Sequence, residues 1–249
     1  THGTTVCDIG ISVDAATETV SRAKALGAAP FHQPIGPGEL DIPAIRGLSG
    51  SVLHFIDQTS GVNDVWSVEF NQTDAEQTQA GLTSIDHIAQ TMSYDEMLSW
   101  SLFYTTLFDM GKSPMVDVVD PDGLVRSQAL ETRDGAFRIT LNGAETHRTM
   151  AGNFLADSFG ASVQHIALAS EDIFATSSAM RAKGFEPLPI SDNYYADLVA
   201  RFDLDADMLT ALKAGNILYD EDAKGAFFQF YSRPYAGGMF FEIVERRGG

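Results

Sequence analysis

IDHIAQTM, residues 85–92, alternates apolar and polar side chains, and the same pattern returns without gaps as VCDIGISV at 6–13 and VQHIALAS at 163–170. A period of two marks a strand half-buried on one face. Each copy is followed by a helix-like segment: Asp14 to Leu26, Tyr94 to Phe108, and Glu171 to Lys183. Gly27 and Gly184 stand where helices end in the left-handed region, and Asp14 and Ser93 are placed to cap helix starts. Further strands complete each unit: SVLHFID at 51–57 in the first, VRSQALET and AFRITLN in the second, and AFFQFYS (226–232) and MFFEIVER (239–246) in the third.

The unit is therefore a strand, a helix and about three strands, recurring at 78 to 79 residues. Alone, such a βαβββ module leaves one sheet face bare, so modules should pair and close a cup-shaped sheet around a cavity. The fold class is α+β, with repeated βαβββ modules forming open β-barrels. Residues 1–70 read as one module of an N-terminal barrel whose first module is absent, 71–83 as a linker, and 84–249 as a C-terminal barrel of two modules. The third module carries a helical insertion at roughly 191–215, expected to lie across the barrel mouth.

Composition bounds the function. The 249 residues carry a net charge of −18, which repels phosphate backbones and anionic lipid, so nucleic-acid and membrane-surface partners are not expected. No apolar run approaches a membrane span. The single Cys7 fits a reducing cytoplasm and, within an apolar run, a buried structural thiol.

The three first strands carry Asp8, His87 and His165 at matching places. Pairing modules two and three brings two histidines together, and strand parity puts His165 on one face with Val163 and Ala167. Glu242 stands among Phe240, Phe241, Ile243 and Val244, where a carboxylate is costly to bury unless it meets a cation. Two imidazoles and one carboxylate form the arrangement of non-haem iron(II) oxygenases. If the last two strands pair across Arg233–Gly238, Gln229 falls opposite Glu242. His54 matches Glu242 in the first module, but with Asp8 alone it makes an improbable second metal site. His2, His32 and His147 read as surface residues, and Asp203, Asp205, Asp207, Glu221 and Asp222 as a solvated acidic face.

IDHIAQTM with LSWSLFYTTLFDM, VQHIALASEDI, FFQF and FFEIVERRGG resemble the 4-hydroxyphenylpyruvate dioxygenase family of the vicinal-oxygen-chelate superfamily. GPGELDIPAIRGLSGSVLHFID at 36–57 resembles the close of that family's N-terminal barrel. The resemblance covers nearly the whole chain. It implies four modules in two barrels, a missing first module, and a final helix beyond Gly249. It implies iron(II) held by His87, His165 and Glu242, with Mg2+, Mn2+ or Co2+ as other ions, and Gln229, Asn142 and Phe241 around the substrate. The implied partners are dioxygen and an aromatic α-keto acid, which undergoes oxidative decarboxylation and hydroxylation; a cytoplasmic homo-oligomer is expected.

Two positions depart from the family pattern. Glu131 stands where the dioxygenases have a pocket serine, and Met150 where they have a second pocket glutamine. An anionic keto acid meets Glu131 well only if a cation such as Arg126 neutralises it. The run LVRSQALET with DGAFRITLN is more similar to the dioxygenase-like C-terminal half of two-domain 3-dehydroshikimate dehydratases, in which dehydration belongs to a separate N-terminal barrel. Ring-cleaving extradiol dioxygenation uses the same ligand set and is a third reading.

Overall fold

The structure, a computed structural model, describes residues 3–71, 73, 79–120, 122–235 and 237–248. The first module comprises β1 (Asp8–Ser12), α1 (Ala16–Ala25), β2 (Pro30–Phe31), β3 (Ala44–Arg46) and β4 (Val52–Ile56), followed by the short α2 (Val65–Val68). The second comprises β5 (Leu82–Ser93), α3 (Tyr94–Phe108), β6 (Gly111–Lys112), β7 (Val116–Asp120), β8 (Gly123–Glu131) and β9 (Arg138–Ala144), and α4 (Met150–Asp157) leads out of it. The third comprises β10 (Ser162–Ser170), α5 (Ile173–Ala182), α6 (Asp192–Arg201), α7 (Ala206–Gly215), β11 (Leu218–Asp222), β12 (Gly225–Tyr231) and β13 (Phe240–Arg247).

One topology is drawn three times. The strand orders are β1-β4-β3-β2, β5-β9-β8-β6 and β10-β13-β12-β11, so each module sets its first strand beside its last. Those pairs, β1/β4, β5/β9 and β10/β13, are all parallel, while β5 and β10 join antiparallel and fuse two modules into one mixed nine-stranded sheet. The first module keeps its own four-stranded sheet. This is the α+β, curled-sheet architecture that the repeat implies. β5 opens at Leu82, inside the stretch read as a linker; Gln72 and residues 74–78 of that stretch lie outside the described residues, as does His2.

Alternation decides what is buried. Ile9, Ile11, Leu53 and Phe55 of the small sheet share one apolar cluster with Val20 of α1, Tyr104 of α3, and Ile88, Met92, Ile139 and Leu141 on the back of the large sheet. Burying each large side chain there contributes about 1.5–3 kcal/mol, which makes this seam the principal anchor of the first module. A second cluster packs Tyr195 and Leu198 of α6 and Leu212 of α7 against Phe228, Phe230 and Ile243. Phe228 and Phe230 flank Gln229 and so face away from it. The insertion is helical as expected, but its apolar stripe takes it behind the sheet rather than across the mouth.

Helix ends follow a shared device that single-strand reasoning does not reach. Asp14 does not cap α1: Ala15 holds the cap position without a side-chain bond, and the Asp57 carboxylate, just past β4, accepts the Ala16 N–H at 2.7 Å. In the third module Glu245 of β13 accepts the Ile173 N–H at 2.7 Å, beside the local cap Asp172. A carboxylate three residues after His54, and another three after Glu242, thus each tie the last strand of a module to its helix. Ser93 does take the cap position of α3, its hydroxyl bonded to Glu96. Gly27 and Gly184 sit at φ +91° and +89°, as the helix ends require.

Cys7 is exposed rather than buried, because β1 begins only at Asp8 and the thiol sits beyond the end of the core. His32 and His147 are exposed, as read from the sequence. Asp205 caps α7 through the Met208 N–H, and Asp222 closes the turn to β12 through Lys224 and Gly225. Among the described residues no helix is long and apolar enough to cross a membrane.

Candidate metal centre

On the concave face of the large sheet, β5, β10 and β13 bring His87, His165 and Glu242 together, with one donor atom from each lying within 4.8 Å of the others. Both imidazoles turn the same way: His87 Nε2 and His165 Nε2 each lie 3.3 Å from a single oxygen, Oε2 of Glu242. Glu242 is only 3% exposed and His87 8%. The His165 ring stacks on Phe240 at 4.9 Å, and its Nδ1 is buried without a hydrogen-bond partner.

The placement depends on irregularities in the strands. Ala167 pairs with His87 and Leu168 with Ile85, so Asp86 is an extra residue on β5. Neighbours on a regular strand point to opposite faces, but a bulge re-aims one of them. Asp86 consequently reaches its own neighbour, Oδ1 lying 2.8 Å from His87 Nδ1. Arg138 (3.1 Å) and Arg246 (2.9 and 3.1 Å) close on the same carboxylate. A second bulge, at Gln164, breaks the expected parity: Val163 joins the apolar cluster behind the sheet instead of sharing the face of His165.

Burial opposes ionisation of Asp86, yet His87, Arg246 and Arg138 outweigh it and hold its carboxyl well below the usual range. Burial likewise works against the imidazolium of His87, but the bonds to Asp86 and Glu242 prevail and raise its pKa above 6.5. Burial is also the largest influence on Glu242, and the hydrogen bonds from His165 and His87 override it to bring that carboxyl down to about 2.

These contacts test whether a cation fits. An ionised Asp86 only accepts, so the proton of a neutral His87 sits on Nδ1 and the Nε2 lone pair faces the Glu242 carboxylate. That apposition is repulsive unless a positive charge lies between the two atoms. A proton on Nε2, which the raised pKa of His87 favours, or a metal ion supplies that charge, so the donor set fits a cation where His87, His165 and Glu242 converge.

Other expected site residues divide between the faces. Gln229 shares the face of Glu242 but not its register: it pairs with Val244, and Tyr231 is the residue opposite Glu242. The hairpin closes two residues later than assumed, with Ser232 N–H bonded to Phe241 O. Asn142 pairs with Thr91 on the face of His87. Glu131 is neutralised by Arg138 at 2.5 Å, not by Arg126, which lies on the opposite face of β8 and pairs with Asp117 and Glu145. Phe241 points away from Glu242, toward Tyr235. Met150 opens α4 and is 72% exposed. In the first module, Asp8 and His54 bond to each other at 2.7 Å, and a carboxylate–imidazole pair stands where module three has His165 and Glu242.

Sequence reading missed Asp86, Arg138, Arg246 and Tyr231. Only Asp86 carried a signal, a carboxylate beside His87 in a buried strand.

Residues 1–71 match the N-terminal family of hydroxyphenylpyruvate dioxygenase, and 84–212 the glyoxalase/bleomycin resistance protein/dioxygenase superfamily. The 3-dehydroshikimate dehydratases of Pseudomonas aeruginosa and Pseudomonas putida are 37% and 36% identical over the whole chain, which spans 39% of their length. A 4-hydroxyphenylpyruvate dioxygenase of Legionella pneumophila is 32% identical, and the chain covers 71% of it. Among solved structures, a xylose isomerase-like TIM barrel/4-hydroxyphenylpyruvate dioxygenase fusion protein superposes with a TM-score of 0.81 at 34% identity, over 98% of this chain and 39% of that one. A 4-hydroxymandelate synthase mutant from Streptomyces coelicolor shares the fold, with a TM-score of 0.82 at 20% identity over 100% of this chain and 73% of that one.

Proposed function

Because the chain belongs to the glyoxalase/bleomycin resistance protein/dioxygenase superfamily, among the relatives of 4-hydroxyphenylpyruvate dioxygenase, we propose that His87, His165 and Glu242 hold a divalent metal ion for oxidation of an aromatic α-keto acid by dioxygen. The observation that carries the reading is the convergence of two imidazole nitrogens on one buried carboxylate oxygen. Iron(II) is the ion we assign; Mg2+, Mn2+ and Co2+ also suit a nitrogen and oxygen donor set. Such an ion supplies Lewis acidity, a template for a chelating acid and, as iron(II), activation of dioxygen.

The chain's own side chains do the remaining work. Asp86 keeps the His87 proton on Nδ1, leaving Nε2 as donor, and its two arginines keep Asp86 charged. Gln229, Tyr231 and Asn142 offer polar groups on the same face, while Phe240 walls the site and excludes water around His165. Arg138 offsets Glu131, so the site tolerates an anionic acid despite the extra carboxylate. We place the protein in the cytoplasm, as a homo-oligomer.

The test is oxygen uptake by iron(II)-loaded protein given 4-hydroxyphenylpyruvate and other aryl keto acids. Uptake that His165→Ala abolishes supports the reading, and none with any acid overturns it. A second reading has its own support: the 3-dehydroshikimate dehydratases match along the entire chain at higher identity. Under it, this chain is the metal-binding module of a longer dehydratase. It expects no oxygen uptake, and no 3-dehydroshikimate turnover without a further catalytic domain.

A further inference from the structure

Among the described residues the first module gathers no metal-binding triad, yet the matching face of its sheet is not bare. Asp8, Val52 and Arg46 form one row across β1, β4 and β3, with His54 two residues further along β4. These side chains share the face that the apolar cluster leaves uncovered. Asp8 is committed to His54 at 2.7 Å. The Arg46 guanidinium donates to Gly50 O at 2.7 Å and lies 4.2 Å over the Phe31 ring, and among the described residues no carboxylate pairs with it.

Beside Arg46 opens a cavity of about 340 Å3, which runs past the end of β1 to Gln90 and Val163 of the large sheet. Ligand pockets of about 300–1,000 Å3 are typical, so this one has room for a small molecule. Leu48, Val52 and Val163 give it apolar walls. Gln90 is 1% exposed, and its amide makes no hydrogen bond of good geometry. The Tyr104 phenol beside it can meet only part of what an amide offers. The Ser51 hydroxyl on the same cavity is also buried without a partner. Buried polar groups nearly always find partners, so this cavity presents some that the chain leaves unsatisfied.

We propose that this cavity between the two sheets binds a small carboxylic acid with a flat apolar body, its carboxylate on Arg46. A guanidinium offers paired N–H donors in a fixed fork that matches a carboxylate. Stacking on Phe31 holds that fork in place. Because Asp8 is bonded to His54, the acid on the same row does not occupy Arg46. On a chain of net charge −18, an anion needs such a cation clear of acids. The apolar walls take the body of the ligand, and Gln90 and Ser51 suit a polar substituent on it. The site is distinct from the metal centre: Gln90 pairs with Leu141 on the face of the large sheet away from His87.

The chain's single cysteine reports on the site, since Cys7 is exposed and lines the cavity. Its alkylation by iodoacetamide is timed by mass spectrometry, with a chelator present so that the metal centre stays empty. The probes are benzoate, its uncharged isostere benzamide, and inorganic phosphate. Benzoate should slow alkylation in a saturable way, and benzamide should need about tenfold or more higher concentration for equal protection. Phosphate, which lacks an apolar body, should protect less than benzoate. Arg46→Met should reduce benzoate to the level of benzamide. The comparison of benzoate with benzamide needs wild type alone, and it decides the matter if Arg46→Met fails to fold. Alkylation that benzoate leaves unchanged, or that benzamide slows as well, overturns the proposal. So does benzoate protection that survives intact in folded Arg46→Met. Phosphate protecting as well as benzoate would show a simple anion site and overturn the class of acid assigned.

Discussion

Nδ1 of His87 lies 2.8 Å from Oδ1 of Asp86, the residue that precedes it in the chain. Only the β5 bulge allows that contact, and it fixes which imidazole nitrogen is free to meet a cation. In Asp86→Asn the amide can turn its NH2 toward His87, favouring the wrong tautomer, and Arg246 loses its counter-charge while Arg138 keeps only Glu131. Divalent metal binding should weaken about 10–100-fold. Calorimetric titration with Co2+ measures it, and equal affinity in variant and wild type would refute the role given to Asp86.

A cation that binds only the folded chain also stabilises it. At a free concentration one hundred times its dissociation constant the gain is about 2.7 kcal/mol, which for a domain of this size raises the melting temperature by roughly 5–11 °C. His165→Ala and Glu242→Gln should melt at the same temperature with and without added Fe2+ or Co2+. A metal-dependent rise that survives both substitutions would place the ion elsewhere.

Why the triad was legible and its surroundings were not follows from what each feature depends on. His87, His165 and Glu242 stand at equivalent places of a repeat, and a repeated topology brings equivalent strands together whatever the details of pairing. Face assignment needs more, because it assumes unbroken alternation. The bulge at Gln164 put Val163 behind the sheet, and the one at Asp86 turned that carboxylate toward His87, without a mark in the composition. Register needs the loop geometry as well: a hairpin closed two residues later exchanges Tyr231 for Gln229 opposite Glu242 while keeping both on one face. The destination of α6 and α7 was in principle readable. Phe228 and Phe230 needed an apolar cover behind the sheet, and these helices supply it.

Asp57 makes a test of acid stability. It is 3% exposed and accepts N–H groups of Ala16, Thr59 and Ser60 at 2.7, 2.9 and 2.7 Å. The bond from Ala16, followed by that from Ser60, depresses its pKa far below the ordinary 3.8. A carboxyl whose folded pKa is depressed stabilises the fold above its unfolded value, and the contribution drains away as pH falls toward the folded one. Chemical denaturation of wild type and Asp57→Asn should therefore show a stability difference that is constant above about pH 5 and shrinks between about pH 4 and 2. A difference independent of pH would mean that shape, not charge, holds the start of α1.

The seam between the two sheets makes the firmest prediction about stability. Phe55 of β4 is fully buried and meets Phe108 at the end of α3 edge-on, at 6.1 Å. Around it lie side chains of both sheets, so its loss is felt by both. Replacing a buried Phe by Ala typically costs about 3–5 kcal/mol in lost transfer energy and cavity. Phe55→Ala should lose that much in urea unfolding and weaken the attachment of the first module. His87, His165 and Glu242 lie on the far face of the large sheet, on strands that Phe55 does not join. Folded Phe55→Ala should accordingly keep wild-type Co2+ affinity while losing stability. Fast proteolysis of the segment before β5, with residues from β5 onward left intact and still binding Co2+, would show the large sheet holding the ion by itself. Co2+ affinity falling in step with stability would show instead that the first module supports the site.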